Sequence, residues 1–189
     1  MGEFVFTLRP ARAADIDALE RLIERSARGL SDGYYTPAEL DAVTRDVFGV
    51  DSQLIADGTY FVVEHAGAKG DKGDKGAIVA CGGWGKRSTG CGGDKHKTAP
   101  ERLLDPATEA AKIRAFFVDP AMARRGLGSL LMAHCEREAA AAGFSRLEMI
   151  ATMPGVPLYR KLGFELVEQY ALPLAVPVPV ALMRRALDA

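Results

Sequence analysis

The sequence predicts an α+β fold built on a mixed sheet, and three observations carry that prediction. Short β-branched and aromatic runs alternate with amphipathic stretches along the 189 residues, the pattern of strands interleaved with helices. Residues 113–118, 124–142 and 146–152 read as strand, helix and strand, a right-handed crossover whose two strands run parallel. Tyr60-Phe61-Val62-Val63 and Ala77-Ile78-Val79-Ala80 flank a Gly/Lys/Asp tract and pair as a hairpin, which supplies the antiparallel part of the sheet.

Taken in order, residues 4–8 form an apolar edge strand stopped by Pro10. Asp15 is placed to cap a helix that carries Ile16, Leu19, Leu22 and Ile23 on one face and ends near Gly29. Thr36-Pro37-Ala38-Glu39 spells a second helix start: a hydroxyl cap, a proline at the first helical position and a glutamate three residues after the cap. That helix runs to about Phe48. The hairpin strands cover 59–64 and 77–83; between them Gly67, Gly70, Gly73 and Gly76 recur every third residue without a proline, so a solvated flexible loop is expected and not a collagen repeat. Residues 86–109 are polar, aperiodic and longer than an ordinary connection, hence functional or mobile. The strand 113–118 closes on Asp119-Pro120. In the helix 124–142, Leu127, Leu130, Leu131, His134, Cys135 and Ala139 share a stripe, which marks His134 as a core residue. Strand 146–152, a short helix over 154–162, and strands 164–170 and 176–183 complete the chain.

Composition narrows the function. The length suits one domain, 1–189, and 48% hydrophobic with 26% charged residues is the make-up of a globular chain. Lys and Arg total 24 against 25 acidic residues, so no global field exists to hold a nucleic acid. The weakly polar run 171–183 carries Pro173, Pro177 and Pro179 and is shorter than the roughly 20 residues a membrane helix needs. Glu3, Arg9 and Arg12 do not make a secretory leader, and a cytoplasmic location is expected. Cys81, Cys91 and Cys135 are odd in number and lack a C-x-x-C pair. Reduced thiols are expected and no metal, since Cys81, Cys91 and His96 lack the tight paired spacing of a zinc site.

The chemistry is concentrated in Phe116-Phe117-Val118-Asp119-Pro120-Ala121-Met122-Ala123-Arg124-Arg125-Gly126-Leu127-Gly128-Ser129. A strand enters a glycine-containing loop and then a helix N-terminus with free N–H groups, an anion site suited to a pyrophosphate, with Arg124 and Arg125 adding forked donors. A dinucleotide fingerprint would need a third glycine where Leu131 stands, and no Gly-Lys-Ser/Thr is present, so both common nucleotide folds are disfavoured. Downstream, Pro157-Leu158-Tyr159-Arg160-Lys161-Leu162-Gly163-Phe164 reads as a short helix stopped by glycine. With these two motifs in this order the chain resembles the GNAT superfamily of acyl-CoA-dependent N-acyltransferases. Val118 to Gly128 is similar to that family's pyrophosphate motif and Leu158 to Phe164 to its Leu-Tyr-x-x-x-Gly-Phe motif. Ala123 stands at the motif's first Arg/Gln position, with Arg124 one place later, and Thr152-Met153-Pro154 occupies the place of an asparagine that many members carry.

The resemblance implies a mixed, mostly antiparallel sheet with a central parallel pair and flanking helices. It implies acetyl-CoA as co-substrate, its pyrophosphate held by Arg124, Arg125, Gly126, Leu127, Gly128 and Ser129, its pantetheine arm along the main chain of Phe116 and Val118, and its acyl oxygen on an N–H near Phe117. Tyr159 is then the general acid for the departing thiolate. The implied reaction is direct acetyl transfer to a primary amine of a small molecule; the alternatives are a non-catalytic acyl-CoA sensor and a protein lysine or N-terminal acetyltransferase. Tyr34, Tyr35 and the region after Trp84 would border the acceptor, and Glu64, Asp94, His96 and Glu148 are the candidates for a base, none of them assignable. The apolar last strand offers an edge for a homodimer.

Overall fold

The computed structural model describes residues 5–70, 73–97 and 101–187. Seven strands, β1 (Phe6–Pro10), β2 (Tyr60–Gly70), β3 (Gly73–Gly85), β4 (Ala111–Val118), β5 (Arg146–Thr152), β6 (Glu165–Leu172) and β7 (Val178–Ala186), form one sheet in the order β1-β2-β3-β4-β5-β7-β6. Every neighbouring pair is antiparallel except β4 and β5. The last strand, β7, does not offer the edge expected of it, because it is paired on both sides, to β5 and to β6. The α-helices among the described residues are α1 (Ile16–Leu30), α2 (Pro37–Asp46), α3 (Ser52–Ala56), α4 (Leu127–Ala141) and α5 (Val156–Lys161). None is long and apolar enough to cross a membrane.

Strand alternation decides which helix meets which face. Tyr60, Val62 and Cys81 pack against Leu19, Leu22 and Ile23 of α1, whereas Phe61, Val63 and Ala80 turn the other way onto Leu127, Leu131 and Cys135 of α4. Beside α1, the α2 residues Ala42 and Val43 close over Val178 and Val180 of β7. The capping box that starts α2 forms as expected: Glu39 N–H donates to Thr36 Oγ1 (3.3 Å) and Thr36 N–H to Glu39 Oε2 (2.7 Å).

Several boundaries differ from the sequence reading, each for a local reason. β1 continues through Pro10, which a sheet edge tolerates because no partner needs the missing N–H. Asp15 does not cap α1; its carboxylate takes Arg12 N–H (2.8 Å) and the Arg9 guanidinium (2.8 Å), holding a 3-10 turn ahead of the helix. α3 was not anticipated, since five residues are too few for a period to register; the Asp51 side chain caps it, accepting from Gln53 N–H at 3.1 Å. The glycine-repeat tract is not a free loop, because β2 and β3 extend into it until Gly70 pairs with Gly73; residues 71–72 lie outside the described set. Of the two readings of 86–109, the described part is anchored: Ser88 N–H donates to Arg102 O (3.0 Å), Leu104 N–H to Lys86 O (2.9 Å) and Gly93 N–H to Val47 O (2.8 Å). α4 begins at Leu127 and not at 124, because Arg124 (φ 64) and Gly126 (φ 82) have left-handed backbones that no α-helix accommodates.

The parallel pair is the shortest pairing in the sheet. Only Ala111↔Leu147 and Lys112↔Glu148 pair between β4 and β5; beyond them the strands diverge. On its other side β4 is in register with β3 at Gly83↔Arg114 and again at Cys81↔Phe117, so Ala115 and Phe116 together oppose Gly82. This is a β-bulge, and Ala115 carries its strain at φ 55. Gly82 and Gly83 make it possible: a Cβ on Gly82 would lie 2.6 Å from the Phe116 ring, and one on Gly83 would lie 2.5 Å from the main-chain oxygen of Thr59.

The Gly83 contact is with backbone and cannot relax. Gly83→Ala is therefore expected to destabilise the fold by about 2 kcal/mol, while Gly85→Ala stays within about 1 kcal/mol, because its nearest new neighbour is a leucine methyl at 3.6 Å. Urea midpoints of the two variants against the parent check the contrast.

Candidate active site

The divergence of β4 and β5 opens a cleft through the sheet. Its walls are Ile113 to Phe117 on one side and Met149 to Thr152 on the other. One mouth lies toward α4 and α5, where Phe116 and Tyr159 belong to the α4-side core. The other lies toward α1 and α2, where Phe117 packs edge-on to Phe48 at 5.3 Å. Phe48, Val43, Val47 and the strap Gly90 to Gly93 complete that second mouth.

At the C-terminal end of β4 the chain turns into the loop expected to cradle an anion. Asp119 caps a 3-10 turn over Pro120–Met122, accepting from Ala121 N–H at 2.9 Å, and is held by Arg25 of α1 at 3.2 Å. Arg124, Arg125 and Gly126 are exposed. The first bond inside α4 is Leu130 N–H to Gly126 O (2.9 Å), so the N–H groups of Leu127, Gly128 and Ser129 have no acceptor within the helix, and Gly126 offers no capping side chain. Gly128 itself is buried; a Cβ there would lie 2.8 Å from Leu158 of α5, so this glycine also sets how closely the two helices approach.

Tyr159 is buried on the cleft wall, its ring edge-on to Phe116 (centroids 6.4 Å apart) and Phe164 (6.1 Å). Burial pushes its phenol well above the ordinary tyrosine range, so it is protonated at any physiological pH. Of the neighbouring strand, Val118 N–H donates to Ser26 Oγ of α1 (3.1 Å), and Phe117 N–H is turned to the Cys81 sulfur. Phe116, lifted out of register by the bulge, lines the cleft.

A buried charge network fixes the strap. Arg114, next to the bulge, donates to Asp51 (2.8 Å) and to the main-chain oxygens of Thr89 (2.8 Å) and Gly92. Asp51 is also paired with Lys97, which reaches Glu101 at 3.3 Å, and Glu101 accepts from the Thr89 hydroxyl. One guanidinium thus ties β4, the cap of α3 and residues 89–92 together. Nothing local in the sequence marked Arg114 or Phe48 as site residues. The adjacent Gly82 and Gly83 were the available signal for a bulge, since paired glycines inside a strand mark a close backbone approach.

Other residues singled out from sequence fall elsewhere. Tyr34 is exposed, and Tyr35 is a structural pin whose hydroxyl donates to Pro179 O (3.0 Å) and accepts from Met153 N–H (2.9 Å); burial pushes its phenol up to about 12. None of the four base candidates lines the cleft. Glu64 is paired with Arg9 at 2.7 Å, Asp94 accepts from Ser52 N–H at 3.1 Å, and His96 stands against Gly92. Glu148 clamps the closed end of the parallel pair; against the effect of burial, Lys112 and Arg184 hold its carboxyl below the usual range. Cys81 is buried beneath the Tyr60 hydroxyl (3.3 Å), whereas Cys91 is on the cleft wall. His134 is half-buried and edge-on to Phe61 at 4.3 Å, a packing role.

The Acetyltransferase (GNAT) family profile matches residues 32–164. No curated protein matches the chain. Among solved structures, a GCN5-related N-acetyltransferase from Rhodopseudomonas palustris is similar at 17% identity with a TM-score of 0.68, the match covering 98% of this chain and 100% of that one. The PaiA N-acetyltransferase from Thermoplasma acidophilum in complex with coenzyme A is similar at 10% identity and TM-score 0.63, over 96% and 99% of the two chains. The ribosomal-protein-S18-alanine N-acetyltransferase from Escherichia coli follows at 15% identity and TM-score 0.58, over 98% and 96%. At these identities the likeness is one of fold.

Removing one member of a buried ion pair strands the other in a medium that solvates it poorly. Arg114→Met is expected to cost about 3 kcal/mol, the remaining Lys97 contact to Asp51 softening the loss. A lower urea midpoint with an unchanged denaturant slope checks this, and an unchanged midpoint would show the network to be dispensable.

Proposed function

Because the chain belongs to the acetyltransferase (GNAT) family, whose members carry out acetyl-CoA-dependent acetyl transfer, we propose that it moves the acetyl group directly to a primary amine of a small-molecule acceptor in a ternary complex. The observation that carries this reading is the cleft between β4 and β5, which joins the α4 N-terminus to a buried tyrosine.

The pyrophosphate sits on the N–H groups of Leu127, Gly128 and Ser129, with Arg124 and Arg125 as exposed cations around it. The pantetheine arm lies in the cleft along Phe116 and the carbonyl of Val118, a missing strand's worth of backbone where β4 and β5 part. With Phe117 N–H turned to Cys81 and Val118 N–H donated to Ser26, the thioester oxygen takes the N–H of Phe116 at the bulge, and a fixed donor of this kind lowers the barrier by about 3 to 4 kcal/mol. Tyr159 delivers a proton to the departing thiolate; its raised phenol is a proton donor across the working range. Direct transfer is favoured over a thioester on the protein because burial pushes the Cys91 thiol up, away from the reactive thiolate, and Cys135 is buried in the core.

Acetyl-CoA is expected to raise the melting temperature where equal NAD does not; a larger shift with NAD would overturn the assignment. Gly126→Asp, which puts both a side chain and a negative charge on a left-handed backbone at φ 82, should weaken acetyl-CoA binding far more than Arg125→Ala, whose loss of one exposed cation costs about 1 kcal/mol or less. Tyr159→Phe should lower kcat by about 10² to 10⁴ with acetyl-CoA affinity little changed. A kcat within about threefold of the parent would make Tyr159 a packing residue.

A further inference from the structure

The acceptor side of the cleft is almost free of charge. Its wall toward α1 and α2 is made of Val43, Val47, Phe48, Phe117 and Ile150 with the glycine strap. Among the described residues, the ionisable side chains on the cleft's lining are Arg114, Cys91 and Tyr159, and no carboxylate is among them. Arg114 is matched by Asp51 and spends its donors on Asp51, Thr89 O and Gly92 O. The carboxylates behind this wall are spent as well: Glu20 accepts Val50 N–H at 2.8 Å, and Asp51 holds Arg114 and Lys97. An ammonium group entering this cleft would give up its water with no anion to replace it, and a carboxylate would find no unmatched cation.

We propose that the acceptor is an uncharged, weakly basic amine carried on an apolar body, seated against Phe48, Phe117 and Ile150. This rests on the acetyl-transfer reading above and names the substrate class of that same site. Such an amine needs no carboxylate base. Its nitrogen lone pair attacks the thioester carbon, the C–N bond forms, the C–S bond breaks, and one of its two N–H protons ends on the sulfur. Tyr159 lends its own proton to that sulfur and regains one from the nitrogen side, so the exchange closes as amide and free thiol. Basicity matters as much as shape: an α-amino group with a pKa near 7.7 to 8.0 is neutral in about one molecule in ten at pH 7, against about one in 10³ for a lysine-like amine near 10.4.

The test uses the full chain with acetyl-CoA, reading free thiol, with leucinamide as the apolar, weakly basic acceptor and spermidine and lysine as the strongly cationic ones. The expected kcat/KM for leucinamide is about a hundredfold or more above that for spermidine at pH 7.5, the ratio set by the neutral fractions. Its pH profile should rise only to the amine's own pKa and then stay flat. Phe48→Ala should cut the leucinamide value about tenfold, while Cys91→Asp, which adds the missing anion to the wall, should narrow the ratio to spermidine about tenfold. Spermidine or lysine turned over as well as leucinamide overturns this inference and leaves acetyl transfer standing. Thiol release with no amine, while acetyl-CoA still stabilises the fold, overturns the acetyl-transfer reading and this inference with it.

Discussion

The parting of β4 from β5 is the constraint on which the rest of this molecule depends. Two parallel strands that paired along their length would leave a continuous sheet and no interior site. Here they pair at two positions and then separate, and the cause lies on the other edge of β4, where Ala115 and Phe116 crowd opposite the single residue Gly82. An extra residue bends a strand and increases its twist. The cost of the strained Ala115 backbone, at φ 55, is met by a tightly packed surround: Tyr60 and Cys81 beneath it, Arg114 anchored on one side and Phe117 wedged against Phe48 on the other.

The anchoring of the described part of residues 86–109 follows from the same region. That stretch is polar and aperiodic, and by itself would have no reason to hold one shape. It is held because Arg114, emerging from the strand beside the bulge, needs acceptors in a place water does not reach, and Thr89, Gly92 and Asp51 supply them. A buried charge that loses its partners is expensive, so the demand of Arg114 for acceptors and the anchoring of the strap are one interaction seen from two ends. The strap's residues Gly90 to Gly93 in turn supply a wall of the cleft whose described lining bears no carboxylate, so the character of that wall is tied to the way the bulge is supported.

Much of the architecture was legible from local rules, because the physics behind those rules acts within a few residues. The capping box at Thr36 and Glu39 and the glycine stop after Leu162 each depend on backbone groups three or four positions apart, whereas α4 enters three residues later than the sequence predicts. The family motifs are of the same kind: they lie on contiguous stretches, one at the mouth of α4 and one along α5, which is why Tyr159 and the glycine loop could be singled out as candidates from sequence. Where local rules failed, a longer-range demand had displaced them. Asp15 looked like a cap and serves Arg9 and Arg12 instead; Tyr35 was expected to border the acceptor and spends its hydroxyl on β7 and the turn after β5.

The sequence by itself determined the fold class and the order of most elements, since each is encoded in the period, capping and glycine placement of one continuous segment; the candidate anion loop and the candidate proton donor Tyr159 came from motifs that resemble a family. Tertiary structure alone decided where β4 would bulge, that Asp51 would meet Arg114 across 63 positions of chain, and that the four acidic or imidazole candidates would all lie off the cleft. Those outcomes turn on which charges and rings become neighbours once the sheet closes, and a buried ion pair or an aromatic contact between distant segments leaves no periodic trace in the chain that makes it.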